Sequence, residues 1–251
     1  MENDVVTPPA ASPLTMARIA GALNLFVIAG GVFAEAGALG RVVVSGAPAA
    51  TARGIVAHEA LFRLGLAVEV LYLLCSVPLK LLLYELLRVV DRRIALLMLA
   101  FGLTGTAIES VSVVVQYGTL LLVGTEASPS AFEPAQLATL IDLALGLFHS
   151  GFVVALTFLG AFCLALGWLI VRSTFIPRVV GWLVVLQGSL YLLHSFARIV
   201  SPPVGARIGP WLVASELGDV ALCLWLLVVG VNVSRWEMMA ARGRSPSLLR
   251  A

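Results

Sequence analysis

The stretch SELGDVALCLWLLVVGV, residues 215–231, is apolar or glycine at every position after Asp219. The apolar character extends over residues 209–233, and about 20 such residues are enough to cross the hydrocarbon core of a bilayer. The stretch therefore predicts a transmembrane helix. Its two carboxylates, Glu216 and Asp219, need a separate explanation, because ionisable groups inside such helices are rare and usually functional.

The whole chain shares this apolar character. Of its 251 residues, 60% are hydrophobic and 12% are charged, whereas a soluble domain is about half apolar and about a quarter charged. This composition excludes a soluble globular protein and predicts an integral membrane protein. The net charge of +2 is too small to indicate nucleic-acid binding. The cysteines Cys75, Cys163 and Cys223 fit neither a metal nor a disulfide spacing, so we interpret them as buried apolar side chains.

The sequence predicts an all-α bundle of six transmembrane helices, because backbone groups in hydrocarbon must be satisfied within the chain itself. We expect a disordered cytoplasmic tail at residues 1–14, the transmembrane domain at 15–234 and a short basic cytoplasmic tail at 235–251. Short extra helical segments are expected on the outer side, at residues 50–57 and 134–144. The predicted spans are residues 16–38, 57–86, 94–123, 145–171, 178–200 and 209–233.

The arginines predict the orientation of the bundle. Most of them lie in the turns at residues 87–93 and 172–178 and in the tail after Val233. The connections on the opposite side carry fewer arginines: Arg41, Arg53 and Arg207. The positive-inside rule therefore predicts a multi-pass protein of the cell membrane with both termini in the cytoplasm.

Four stretches together resemble a known family: ARIAGALNLFVIAGGVFAE, HEALFRLGLAVEVLYLLCSVPLKLLLYELL, GAFCLALGWLIVRSTFIPRVVGWLVVL and ELGDVALCLWLLVVGVN. They resemble Domain of Unknown Function 4386, a bacterial family of small polytopic membrane proteins. The resemblance runs from about Ala17 to Asn232. It supports the six spans and implies no catalytic residues.

Polar side chains recur at helical spacing along four of the predicted spans. Residues three or four apart share one face of a helix, and ionisable groups turn away from lipid because exposure there is costly. The faces therefore predict one polar cavity, open to the outside and closed to the cytoplasm. Lys80 lies deeper, and we expect its amine to extend toward the cytoplasm. The faces comprise His58, Glu69, Tyr72, Ser76 and Lys80; Glu109, Ser112 and Gln116; Gln187, Tyr191, His194 and Arg198; and Glu216, Asp219 and Cys223.

The predicted polar layer contains more acid than base. Its six carboxylates exceed its two arginines by four, so pairing alone cannot neutralise them, and some must be hydrated, protonated or bound to a cation. We expect Asp219, the deeper of the neighbouring pair, to hold a proton, and Glu216 to stay charged near Arg198. The same groups also fit a purely structural network. The carboxylates are Glu35, Glu59, Glu69, Glu109, Glu216 and Asp219, and the arginines are Arg63 and Arg198.

This layer predicts an intramembrane enzyme that performs acid–base chemistry on a lipophilic substrate, an isoprenoid or a polyketide, by cyclisation, isomerisation or hydration. The predicted catalytic residues are Asp219, Glu59, Glu216, His194 and Glu109. The predicted substrate-binding residues are Tyr191, Arg198, Phe62, His149, Phe152, Gln187, His58 and Glu69. We expect no cofactor.

Three alternatives stay open. A small transporter or proton-coupled membrane protein fits the size, although no inverted repeat is visible. A metal site built from His58, His149 and His194 lacks any local pair of ligands, so no metal is predicted. A non-catalytic accessory protein is the third. The expected partners are a lipophilic small molecule and membrane lipid, without nucleic acid, and a homodimer stays open.

Overall fold

The computed structural model describes residues 12–44, 46–123 and 133–244, and in these ranges the chain is helical without a β-strand. Residues 1–11 and 245–251 of the predicted tails lie outside the described ranges. The helices are α1 (Pro13–Val32), a first π-helical segment (Phe33–Leu39), α2 (Gly40–Val42), α3 (Pro48–Ala57), α4 (Glu59–Leu87), α5 (Arg92–Val123), α6 (Pro134–Arg172), α7 (Arg178–Val200), α8 (Pro202–Ser215), α9 (Leu217–Leu224), a second π-helical segment (Trp225–Val229) and α10 (Val233–Arg244).

Six helical stretches in the described ranges are long and apolar enough to cross a membrane, which confirms the predicted all-α fold with six spans. Each exceeds the length of about 20 residues that a bilayer requires. The stretches are Pro13–Val42, Glu59–Leu87, Arg92–Leu122, Pro134–Arg172, Arg178–Val200 and Pro202–Val229.

Local sequence explains where several helices begin. The Ser12 hydroxyl accepts a backbone N–H of α1 at 3.2 Å, and the Asp91 carboxylate accepts two backbone N–H groups of α5 at 2.9 and 3.1 Å. Glu133 and Gln136 form a reciprocal capping pair at the start of α6. Such caps satisfy the N–H groups that the first turn of a helix leaves unpaired.

Some boundaries differ from the sequence predictions. The segment at 134–144 is not a separate helix but the first part of the 39-residue helix α6. The sixth span begins at Pro202, seven residues before the predicted start, and it is interrupted at Glu216, where α8 ends. The segment predicted at 50–57 is the separate helix α3, because His58 leaves helical geometry at φ −124° and ψ 34°.

The two faces of the bundle can be told apart by their contacts. Trp236 of α10 donates its indole N–H to the carbonyl of Leu86, at 2.9 Å, and Arg235 donates to the carbonyl of Thr174, at 3.1 Å. We call this the terminal face, because α1 begins and α10 lies there, and we call the opposite one the distal face. Part of the basic tail predicted at residues 235–251 is therefore a helix that is fastened to the bundle.

Two apolar clusters hold the bundle together. The terminal core, toward the terminal face, includes Leu86, Met98, Leu169, Ile170 and Leu226. The distal core lies toward the distal face and fills the space among α2, α3, α4, α5 and α6; its largest fully buried members are Ile55, Phe62, Ile141 and Phe148. Both ends of the bundle are thus packed with apolar side chains, and polar groups collect between the two cores.

Helices α6 and α7 approach each other through glycines. A Cβ at Gly181 would lie 2.8 Å from the backbone nitrogen of Val171 and 2.9 Å from the carbonyl oxygen of Gly167. A Cβ at Gly188 would lie 2.7 Å from the carbonyl oxygen of Gly160. Small residues allow this close packing of backbones, which is a main source of attraction between helices in lipid.

We expect Gly181→Ala to lower the thermal unfolding temperature in detergent, because the added methyl group forces α6 and α7 apart and overpacking costs about 1–3 kcal/mol. The matched control is Gly146→Ala in α6, where a Cβ would meet nothing within 4 Å. The control should raise stability by up to about 1 kcal/mol through helix propensity. Equal shifts in the two variants would contradict the close approach.

Candidate functional site

A cavity of about 460 Å³ lies between the two apolar cores, enclosed by residues of α1, α4, α5, α6, α7, α8 and α9. Its volume falls in the range of small-molecule sites, about 300–1,000 Å³. Leucines line much of its terminal side, among them Leu83, Leu166 and Leu226. Its polar lining comprises Asn24, Glu35, Tyr72, Ser76, Lys80, Glu109, Tyr191, Glu216 and Asp219. We call this space the central cavity.

A larger groove, of about 780 Å³, runs between α4 and α5. Its lining is apolar apart from Arg63, Ser110 and Tyr117. Because it contains no carboxyl group and faces outward from the bundle, it offers less chemistry than the central cavity.

Glu216 is held by a short chain of hydrogen bonds from α7. The Tyr191 hydroxyl donates to the Glu216 carboxylate, and the Gln187 amide donates to the Tyr191 oxygen at 3.0 Å. Gln187 and Tyr191 are four residues apart, so they stand on one face of α7. The predicted partner, Arg198, is exposed at the end of α7 and packs its aliphatic part near Gly205. The expectation that Arg198 keeps Glu216 charged is therefore wrong: within the described ranges a neutral phenol holds this carboxyl group.

Asp219 is held across the bundle by α1. The side-chain amide of Asn24 donates to Asp219 Oδ1 at 3.0 Å, and it also lies 3.5 Å from the Asp219 carbonyl oxygen. Asn24 is buried, and every other residue from Ile19 to Ala34 is apolar or glycine. This contact connects the first and last spans at the depth of the cavity.

Glu109 has the same kind of partner. The Tyr72 hydroxyl of α4 donates to Glu109 Oε1 of α5 at 2.9 Å, and both side chains are buried. Glu69 lies one turn from Tyr72 and is also buried, but it does not line the cavity. Three cavity carboxyl groups, on Glu109, Glu216 and Asp219, are thus each bonded to a neutral donor from another helix.

Lys80 does not extend toward the terminal face as predicted. Its side chain is only 6% exposed, and its amine donates to Thr106 Oγ1 at 2.6 Å. Thr106 also lies 3.2 Å from Ser76 Oγ, and the Lys80 amine stands 5.8 Å from the centre of the Phe162 ring. Thr106 of α5 and the ring of Phe162 thus keep the amine inside the bundle, and Lys80 is the basic group of the cavity.

Other predicted residues lie outside the cavity. Glu59 pairs with Arg63 of the next helical turn at 2.7 Å, with both side chains about half exposed. His149 is exposed, and its ring Nδ1 lies within hydrogen-bond distance of the carbonyl oxygen of Leu145, at 2.8 Å. His58 is exposed, whereas Phe62 is fully buried in the distal core.

His194 is buried near α8, and its Nδ1 has no hydrogen-bond partner in the described ranges. It does not line the cavity. The predicted common cavity therefore gathers Glu109, Glu216 and Asp219, with Tyr191 and Phe152, but it gathers neither Glu59 nor His194. No three His, Cys, Asp or Glu side chains are grouped as metal ligands in residues 12–44, 46–123 and 133–244.

The structure adds site residues that the sequence prediction did not name as such: Asn24, Glu35, Tyr72 and Lys80. An asparagine at the centre of an apolar span was the available signal for Asn24, since a buried amide needs a partner. Tyr72 and Lys80 share the predicted face of α4 with Glu69. The sequence showed this face, but it could not show which of its residues reach the cavity.

The lining is rich in acid. Four carboxyl groups, on Glu35, Glu109, Glu216 and Asp219, stand against the single amine of Lys80. Glu35 is exposed, but ionising the other three beside a single amine would be expensive, because charges removed from water lose several kcal/mol each unless they are paired. At least one of these groups must therefore hold a proton or meet a cation in the cavity.

The fold and the site together define a polytopic α-helical membrane protein with an internal acidic cavity. The chain belongs to the family described as domain of unknown function DUF4386, whose sequence profile matches residues 19–230. This confirms the resemblance seen in the sequence. Comparisons with curated proteins and with solved structures give no match.

Infrared spectroscopy of the protein in lipid at neutral pH should show the C=O stretch of a protonated carboxyl group, because the cavity holds more acid than base. Asp219→Asn or Glu109→Gln should remove part of that band. Asp142→Asn is the matched control, since Asp142 is exposed on α6 outside the cavity and should leave the band unchanged. A spectrum with carboxylate absorption alone would contradict a protonated carboxyl group and leave a cation in the cavity as the source of charge balance.

Proposed function

We propose that this protein is an intramembrane enzyme that performs acid–base chemistry on a lipophilic substrate bound in the central cavity. The observation that carries the proposal is the grouping of Glu109, Glu216 and Asp219 around one cavity, each bonded to a neutral donor. A carboxyl group without a cationic partner is free to exchange a proton with a ligand. Pairs of such groups in different surroundings are typical of acid–base catalysis.

The walls of the cavity support the substrate class. Leu79, Leu83 and Leu166 form an apolar end, and Phe152 and Phe162 add aromatic faces. These walls favour an isoprenoid- or polyketide-like body, and an aromatic face can stabilise a positive charge that develops on it. The reactions that fit are cyclisation, isomerisation and hydration of a carbon–carbon double bond.

The roles follow from the surroundings of each acid. Asp219 is the proposed general acid: it protonates a double bond of the substrate and is left as a carboxylate. Glu216, held by Tyr191, stabilises the positive charge and takes up the proton that the product loses. Because Glu216 and Asp219 are neighbours on one helical face, the proton can return and restore the starting state. Glu109 and Lys80 set the charge of the opposite wall.

A proton-coupled transporter is the second candidate. Lys80 favours it, because its buried amine carries the polar lining further toward the terminal face than the carboxyl groups do alone. Charged groups inside a bundle are common in proton relays. The terminal core beyond Lys80 is apolar, which suits a closed site better than a continuous pathway.

We also propose that the terminal face lies in the cytoplasm, since most arginines belong to it. A cysteine at Arg244 should then be labelled by an impermeant thiol reagent only from the cytoplasmic side, whereas a cysteine at Ser128, between α5 and α6 in the sequence, should be labelled only from outside. Cytoplasmic labelling of the Ser128 position would reverse the orientation.

Asp219→Asn should abolish catalysis and leave the fold intact. The test needs no known substrate: the protein is placed in bilayers of lipid extract from the source cells, in D₂O, and lipids that gain deuterium at carbon are found by mass spectrometry. Asp142→Asn is the control and should keep full incorporation. Glu216→Gln should also lower the unfolding temperature. Its hydrogen bond with Tyr191 weakens, and we expect the free energy of unfolding to fall by about 1 kcal/mol or more. Full incorporation in Asp219→Asn would remove Asp219 from the role of acid.

A further inference from the structure

The central cavity opens sideways, toward the part of the bundle surface that lipid would cover. Its rim includes Gly31 and Val32 of α1 and Val213 of α8. Val32 is 63% exposed and Val213 is 78% exposed, so the rim lies on the outer surface of the bundle. Glu35, itself exposed, and Glu216, partly buried, also line the cavity on these two sides.

The depth of the rim places it in the hydrocarbon. Gly31 lies 11 residues before the end of the first span at Val42, and Val213 lies 11 residues after the start of the sixth span at Pro202. At the α-helical rise of 1.5 Å per residue Val213 is about 16 Å below the distal end of its helix. Gly31 lies less deep than that, because the first π-helical segment, which rises less per residue, separates it from Val42. The opening is therefore near the middle of the bundle and not at an aqueous end.

The space beside Gly31 is empty of protein atoms. A Cβ built on Gly31 would meet nothing within 4 Å, in contrast to Gly30, the preceding residue, where it would lie 3.1 Å from the Cβ of Tyr72. The first π-helical segment, Phe33–Leu39, begins two residues after Gly31 and contains Glu35. Such segments occur often at functional sites, because the wider turn displaces side chains from the regular helical pattern.

The opposite route, from the distal face, is obstructed. The distal core packs Ile55, Phe62, Ile141 and Phe148 beneath that face, each almost completely buried. The sequence predicted a cavity that opens at this end, but among α2 to α6 the structure is closed there. A packed protein interior leaves few voids larger than a water molecule, so this side closes the cavity.

We infer that the gap between α1 and α8, with Gly31 and Val213 on its two sides, is a lateral entrance through which a bilayer-dissolved amphiphile reaches the central cavity. The inference rests on the proposed function for the nature of its occupant. The chemistry of the rim specifies that occupant: an apolar body passes Val32 and Val213, and a polar group that donates hydrogen bonds meets Glu35 and Glu216. A water-soluble metabolite does not fit, because the hydrocarbon separates it from the opening.

Cys163 provides the reporter for a test. It lines the central cavity, whereas Cys75 and Cys223 do not, and all three are free thiols. In a Cys75→Ser, Cys223→Ser background in liposomes, a long-chain alkyl maleimide that partitions into the bilayer should label Cys163, and a sulfonated, membrane-impermeant maleimide should not. Denaturation in detergent should expose Cys163 to both reagents.

Gly31→Trp should slow labelling by the alkyl reagent about tenfold or more, since an indole fills the gap through which the chain must pass. Gly118→Trp in α5 is the matched control, because a Cβ there also meets nothing within 4 Å but the residue lies outside the cavity lining. Its labelling rate should equal that of the parent protein.

Three results would each overturn the lateral entrance: equal labelling by the impermeant reagent, no labelling by the alkyl reagent before denaturation, or an unchanged rate in Gly31→Trp. Labelling does not depend on turnover, so Asp219→Asn should still be labelled by the alkyl reagent before denaturation. If Gly31→Trp blocks labelling while Asp219→Asn keeps deuterium incorporation, the entrance stands and the proposed general acid fails.

Discussion

The absence of water from the hydrocarbon core governs every level of this structure. A backbone N–H or C=O without a partner there costs several kcal/mol, so each membrane-crossing segment is a helix. The same cost applies to side chains, and it turns Asn24, Tyr72, Glu109 and Asp219 toward one another between two apolar cores. The polar contacts between helices follow from the solvent, and the cavity follows from those contacts.

The partners of the carboxyl groups define the character of the site. A buried acid beside an arginine is fixed as an anion, and such a pair serves mainly to hold helices together. Here the partners of Glu109, Glu216 and Asp219 are two phenols and an amide, which can stay bonded whether or not the acid is protonated. The amine of Lys80 bonds to a threonine hydroxyl, so among the described residues these acids have no direct ion pair. The arrangement preserves helix packing and still allows the acids to exchange protons.

Close packing and open space are distributed unevenly around the bundle. The glycines of α6 and α7 bring two backbones together, whereas Gly31 of α1 faces empty space. The wall of the cavity is thus incomplete between α1 and α8. A rigid contact on one side and a gap on the other give the cavity both a fixed shape and a way in from the bilayer.

Much of the architecture could be predicted from the sequence. Apolar runs longer than a bilayer requires specify six helices, and the spacing of Glu216 and Asp219, or of Gln187 and Tyr191, specifies which residues share a face, because helical geometry is local. The balance of acid and base was also visible, since it needs only counting. These properties depend on the chain within one helix.

The choice of partners depended on how the helices are rotated and spaced, which only the tertiary structure shows. Glu59 and Lys80 both stand on α4, but rotation and depth place Glu59 at the exposed surface with Arg63 and bring Lys80 to Thr106 inside. Asn24 meets Asp219 across 195 residues of sequence, a contact that no local pattern encodes. The gap beside Gly31 likewise exists because α1 and α8 diverge there, and the distance between two helices is a property of the whole packing, not of either sequence segment.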